Sequence, residues 1–299
     1  MAITTRVRAA ARTVVAPFGR DVDRDLLPLT PAMLFLLGFL FVPLAYLLFL
    51  SVMTYDPIEI IDYTFTLENY AKLLVDPFYR QFVFYTIRVA LVTTVVCLLL
   101  GYPVGYLLSR TRASRRNVLL FLVLLPLMVG TVVRTYGWMV ILGTNGVVNS
   151  FLRATVGVEV ELLGTTTAVV VGLVGVLLPF LIVPIYSSLE SLDESLELAA
   201  RNLGANAFQA FYRVTLPLSL PGVVTGSIFV FTLATSAVVT PKLLGGRTDL
   251  TIGALMYDVA LGDTNWPFAS AMAVLMAVIT LGLIFSYLKF SRERMEQVQ

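Results

Sequence analysis

Residues 196–217 read Leu-Glu-Leu-Ala-Ala-Arg-Asn-Leu-Gly-Ala-Asn-Ala-Phe-Gln-Ala-Phe-Tyr-Arg-Val-Thr-Leu-Pro, a polar interruption between two long apolar blocks. Just upstream, Asp193 can cap a short helix starting near Glu194, with Glu194 and Glu197 favourable in its first turn. Leu196, Ala199, Ala200 and Leu203 then share one face at helical spacing. Gly204 is placed to stop the helix, since a left-handed conformation costs glycine little. A second helical stretch, about Ala207–Val214, carries Phe208, Phe211 and Tyr212, and Pro217 is expected to halt it. A small-faced helix of this kind suits docking into a groove of another protein. The same residues also fit a loop that packs only on its own bundle.

Around that interruption the chain is built for lipid. Of 299 residues, 58% are hydrophobic and 13% charged, with a mean hydropathy of +0.87, which excludes an ordinary soluble domain. The apolar residues come in blocks of roughly 20, the length a helix needs to cross the hydrocarbon layer. Six spans are expected, at about Leu29–Val52, Phe82–Leu108, Val118–Leu142, Thr166–Ser187, Gly222–Thr240 and Pro267–Lys289. Pro43, Pro103, Pro126 and Pro179 fall inside spans, as kinks along a pathway or as packing geometry. There is no histidine, the commonest catalytic base and metal ligand. No Gly-rich loop ending in Gly-Lys-Ser/Thr is present, so ATP binding by this chain is not expected. The single cysteine, Cys97, lies inside a span and can form no internal disulfide. A formal charge of +2 gives no ground for a nucleic-acid partner.

Cations in the short loops set the expected orientation. Ser109–Asn117 carries Arg110, Arg112, Arg115 and Arg116 without an acid and reads as cytoplasmic. The five arginines of the N-terminal segment and Lys289, Arg292 and Arg294 at the other end then fall on the same side. The expected organisation is a cytoplasmic segment 1–28, a transmembrane domain 29–290 with a cytoplasmic loop 189–221, and a cytoplasmic tail 291–299. The loop 189–221 is net acidic on a side that should be basic, which suits a partner better than a topology signal.

The spacing Ala199-Ala200, three residues, Gly204, nine residues, Val214, one residue, Leu216-Pro217 resembles the cytoplasmic loop of permease subunits in binding-protein-dependent ABC importers. The likeness runs through nearly the whole chain. It is nearest to spermidine/putrescine-type permeases at Arg134-Thr135-Tyr136-Gly137-Trp138, Leu142–Gly146 with Asn149, Leu244-Gly245-Gly246 and Trp266-Pro267-Phe268. The resemblance implies an all-α integral membrane protein of the type I importer permease fold, in a bacterial inner membrane. It implies a second permease subunit, an ATPase dimer that holds the ATP and magnesium, and an extracytoplasmic solute-binding protein, with no cofactor on this chain. Glu194, Glu197, Ala199, Ala200, Arg201, Gly204 and Pro217 would form the coupling element that meets the ATPase. Where the family usually has Glu before Ala-Ala, this chain has Leu198, with Glu197 one place earlier.

A polycation crossing a low-dielectric path needs carboxylates or aromatic faces to offset its desolvation. Asp249, Asp258 and Asp263 are candidate acids, with Tyr136, Trp138, Tyr257 and Trp266 as candidate aromatic partners or members of an interfacial belt. Lys242 stands where spermidine-type permeases commonly carry an acid. Arg88 and Arg134 lie at membrane depth, facing a cavity or reaching back to the interface. If either lines the pathway, a carboxylate-bearing solute such as an amino acid or an opine competes with a polyamine. An ATP-independent carrier would leave the Ala-Ala/Gly/Leu-Pro loop unexplained, and a membrane enzyme would need clustered ionisable groups that do not appear.

Overall fold

The computed structural model describes residues 30–246 and 249–296, without the side chains of Thr30, Glu194 and 292–296. The expected cytoplasmic segment 1–28 and residues 297–299 of the expected tail lie outside the described residues. Helix α1 (Thr30–Ser51) is apolar on every side and long enough to span, with Pro43 inside it. It forms one unit up to Leu50; the remainder of the chain forms a second.

That second unit opens with a small antiparallel hairpin, β1 (Met53–Thr54) and β2 (Asp62–Phe65), in which Met53 faces Phe65. Helix α2 (Glu68–Val75) leads to α3 (Pro77–Arg110), 34 residues long, so about 50 Å from end to end. Asp76 caps α3 through the Phe78 amide at 2.9 Å, and Pro77 sits in the first turn, where its missing N–H costs nothing. After α3 come α4 (Ala113–Leu124), α5 (Thr131–Leu142), α6 (Val147–Thr155) and α7 (Thr166–Glu190). Helices α8 (Glu194–Asn202), α9 (Ala207–Ala210) and α10 (Leu216–Leu218) follow, then α11 (Leu220–Thr235), α12 (Val239–Leu244), α13 (Ile252–Leu261) and α14 (Trp266–Glu296).

Four of these helices are long and apolar enough to cross a membrane, and two bent pairs bring the total to six among the described residues. Three expected spans correspond to single helices: α1, α7 and α14. The second also appears whole, but α3 begins five residues earlier than the expected Phe82 because Asp76-Pro77 supplies a helix start. Two expectations need correction. The third span, Val118–Leu142, is broken: Pro126 offers no amide to the ladder, residues 125–128 tighten into a 3-10 turn, and Val129 and Gly130 take extended backbone. The two halves meet at 94°. The fifth span stops at Thr235, short of the expected Thr240, and restarts as α12 after Ser236–Val238.

The core gathers on α7, which is more buried than the other three single-helix spans, α1, α3 and α14. Leu173, Leu177, Leu181 and Ile185 of α7 pack against Val89 and Cys97 of α3 and Val230, Phe231 and Ala234 of α11. Small residues make that contact close. A Cβ on Gly101 or Gly105 of α3 would stand 2.8 Å from Leu181 or 2.9 Å from Ile185. A Cβ on Gly222 of α11 would stand 2.6 Å from the Pro184 carbonyl oxygen, and one on Gly226 would stand 3.1 Å from the Leu181 carbonyl oxygen. A second apolar cluster joins Leu73, Phe82, Val259, Phe268 and Met272 at the end of the molecule where α3 starts. A third sets Leu119, Leu120 and Val123 of α4 on Leu108, Ile182 and Tyr186.

Substituting Gly222→Val should push α11 off α7, lowering stability by on the order of 2 kcal/mol. Gly282→Ala, at a site with nothing within 4 Å of the new Cβ, should be neutral or mildly stabilising. Thermal unfolding in detergent separates the two; equal melting temperatures would contradict the close helix crossing.

Candidate functional site: the loop between the fourth and fifth spans

Helix α8 starts as its sequence dictates. Asp193 has extended backbone, and its carboxylate accepts the Ser195 amide at 2.8 Å. That amide, together with the Ser195 hydroxyl, holds the Asp193 carboxyl below its usual range. At the other end Gly204 takes a φ of +92°, the left-handed stop expected of it, with open space around its Cβ position. The chain re-enters a helix through a reciprocal cap: Asn206 Oδ1 accepts the Gln209 amide at 2.8 Å, and Gln209 Oε1 accepts the Asn206 amide at 3.1 Å.

The expectation that Pro217 ends this second stretch is corrected. After α9 the backbone widens into a π turn at Phe211–Thr215 and passes into α10 with Pro217 in its first turn, where no amide is required. The break falls at Ser219 instead, where the helical line bends 60° into α11. The helical line from Ala207 thus runs to Leu218 and is separated from the fifth span by a single bent residue.

Two faces emerge. Leu196, Ala199 and Leu203 are exposed and Ala200 half-buried, so the small-residue stripe is uncovered by its own bundle. Phe208 and Tyr212 stack on each other at 6.3 Å and are also exposed, extending this uncovered surface. The opposite face is fastened inward. Phe211 meets the edges of Tyr102 and Tyr106 of α3 at 5.9 and 5.4 Å, and Tyr102 Oη lies 2.9 Å from Ser219 Oγ. Glu197, only 8% exposed, does not join the outer stripe. It accepts hydrogen bonds from Arg110, the last residue of α3, from Arg201 at 2.8 Å, and from the Thr215 hydroxyl at 3.4 Å. The Arg110 guanidinium also lies 5.4 Å from the centre of the Tyr106 ring. A polar cavity of about 210 Å³ sits beside the cluster, bordered by Arg116 and Glu190, which pair at 2.6 Å.

The remaining candidates fall into separate places. Lys242 and Asp258 pair with each other, with Lys242 Nζ 4.4 Å from the centre of the Tyr257 ring. Asp249 accepts a hydrogen bond from Thr166 at 3.2 Å beside Tyr85. Arg88, exposed, borders a shallow depression with Arg80, Gln81 and Tyr85. Arg134 has Nε and Nη1 buried without a hydrogen-bond partner among the described residues. Trp138 packs on the core, whereas Tyr136 and Trp266 are exposed. Asp263 is exposed, and its main-chain carbonyl accepts the Tyr55 hydroxyl at 3.0 Å. The Glu194 side chain lies outside the description. Sequence reading missed Arg110, Tyr102, Tyr106 and Thr215 as parts of the loop site; Arg110 had weighed only as one loop cation among four.

Residues 99–294 match the family of binding-protein-dependent transport system inner membrane components. The spermidine/putrescine transport system permease protein PotB of Haemophilus influenzae is 38% identical over 268 residues, covering 88% of this chain and 93% of its own. PotB of Escherichia coli K12 is 35% identical over 256 residues, covering 85% of this chain and 93% of its own. In a solved bacterial alginate ABC transporter, bound to its alginate pentasaccharide-loaded periplasmic protein, one chain superposes with a TM-score of 0.74. It is 18% identical, with 92% of this chain and 96% of that chain covered, and shares the fold. The expected all-α importer permease fold is therefore the observed one.

The cap gives a pH-dependent expectation. Because the Asp193 carboxyl titrates below its ordinary range, its stabilisation is complete above that range and is lost as pH falls through the lowered value. Protection factors of the α8 amides, each rate referred to the intrinsic rate at the same pH, should be high at neutral pH and fall on acidification, and Asp193→Ala should lower them at neutral pH. Equal exchange rates in the two proteins at neutral pH would remove the cap from the helix's stability.

Proposed function

We propose a function from one premise: the chain belongs to the family of binding-protein-dependent transport system inner membrane components. It is a multi-pass inner-membrane permease subunit of an ABC importer of the polyamine type, carrying a spermidine- or putrescine-like cation. The observation that carries the coupling role is the capped helix α8, which turns Ala199 outward and ends at a left-handed Gly204. An ATPase subunit docks on this stripe and on Phe208 and Tyr212, while ATP and magnesium stay on that partner. The chain itself performs no hydrolysis. The N- and C-termini and the loop lie in the cytoplasm, as the arginines of Ser109–Asn117 favour. A second permease subunit completes the pathway, and a solute-binding protein delivers the solute to the opposite face.

Identities of 35–38% with PotB proteins support a polyamine over an amino acid or opine. At the end of the molecule opposite the loop, the Asp249 carboxylate and the rings of Tyr136 and Trp266 are open to an ammonium group, while Lys242 lies on both Asp258 and the Tyr257 ring. Lys242 already engages Asp258, so an incoming polycation must displace it or use Asp249. Arg88 and Arg134 remain assigned to the same pathway, where an arginine facing the solute favours a carboxylate-bearing solute over a polycation.

The test is uptake in proteoliposomes holding the second permease, the ATPase and the binding protein. Spermidine or putrescine should stimulate ATP hydrolysis and enter the vesicle, and Asp249→Asn should lower uptake about tenfold. Stimulation by amino acids alone, with none by polyamines, would contradict the polyamine reading.

A further inference from the structure

The loop resembles a docking element, yet Glu197, two residues before Ala199-Ala200, is turned away from the docking face. Glu197 is buried, and both of its carboxylate oxygens are occupied: Oε2 by Arg110 and Thr215, Oε1 by Arg201. Arg201 lies on the same helix, so it stiffens α8 without linking it to anything else. Arg110 and Thr215 are different. Arg110 ends α3, the 34-residue helix whose other end carries Arg80, Gln81 and Arg88. Thr215 ends the π turn that leads into α11. One carboxylate therefore joins three mechanical parts: the docking helix, the second span and the entry to the fifth.

We propose that Glu197 is a positioning residue for transport, a strut that passes movement of α8 to α3 through Arg110 rather than a contact to the ATPase. The inference rests on the reading of α8 as the docking helix and deepens it. Charge-assisted bonds suit this task because they are short and directional, and a carboxylate withdrawn from water holds them more tightly than one at the surface. Apolar contact between Phe211 and the tyrosines keeps the loop near α3, but ring edges slide on one another far more easily than a paired carboxylate does. The cavity of about 210 Å³ beside the pair leaves α8 room to shift while the ion pair holds. Loss of the strut should leave the ATPase docked and hydrolysing while its motion reaches the spans poorly.

The experiment uses the reconstituted complex with Glu197→Gln, Arg110→Gln, the double variant and Glu197→Asp, and reads solute taken up per ATP hydrolysed. Copurification of the ATPase is scored in parallel. Each single glutamine variant should lower uptake per ATP about fivefold. The double variant should be no worse than either, rather than the roughly twenty-fivefold of independent residues. Glu197→Asp, which keeps the charge, should recover part of the loss, and the ATPase should copurify with all four. Uptake per ATP within twofold of the unmodified complex in Glu197→Gln would overturn the strut and leave the docking reading standing. Loss of the ATPase from Glu197→Asp as well as Glu197→Gln would also overturn it, by making Glu197 a partner contact. Ala199→Trp probes the reading beneath: if the ATPase stays bound and transport is normal, docking on α8 fails, and the strut with it.

Discussion

The close mutual packing of α3, α7 and α11 is the contact from which the other features of the molecule follow. In lipid no hydrophobic force drives one apolar helix against another, so association depends on how closely backbones approach. Gly101 and Gly105 of α3, and Gly222 and Gly226 of α11, permit that approach at Leu181, Pro184 and Ile185. The loop runs from α7 to α11, so its two ends are fixed by the same crossing. Its inner face is then held within reach of the Tyr102, Tyr106 and Arg110 end of α3.

A loop so anchored can hold one face rigid and leave the other open. Aromatic edges and a buried carboxylate secure the inside, and the outside carries Ala199, three exposed leucines and a stacked Phe208–Tyr212 pair. Exposed apolar surface of this sort outside the lipid is costly unless a partner covers it. The absence of an amide at Pro217 does not break the line, because the π turn before it brings the proline into a first turn. The loop is thus joined to two spans, the fifth along the chain through the bend at Ser219 and the second by the Glu197–Arg110 pair.

Much of this was legible in residue order. Blocks of apolar residues gave the spans, Asp193 and Gly204 gave the two ends of α8, and the Ala-Ala/Gly/Leu-Pro spacing pointed to the family. The broken third span was not, because hydropathy stays high through Pro126, Val129 and Gly130 while the backbone leaves the helix. The direction of Glu197 was half legible: its spacing to Arg201 suits an ion pair on one helix, but Arg110 is 87 residues away and only the fold brings it there. Lys242 and Asp258 were read separately as an odd cation and a candidate acid. Their pairing comes from the packing of α12 beside α13, which periodicity does not encode. The glycine pairs at fourfold spacing in α3 and α11 were present in the sequence as a packing signal and went unread.

The most direct test places a photoreactive residue at position 199, on the open face of α8, and another at position 210, where Ala210 is fully buried, in the assembled transporter. The expected result is capture of the ATPase from position 199 and crosslinks confined to this chain from position 210. Capture of lipid or of this chain alone from position 199, with the ATPase present and turning over, would contradict the docking role of the loop.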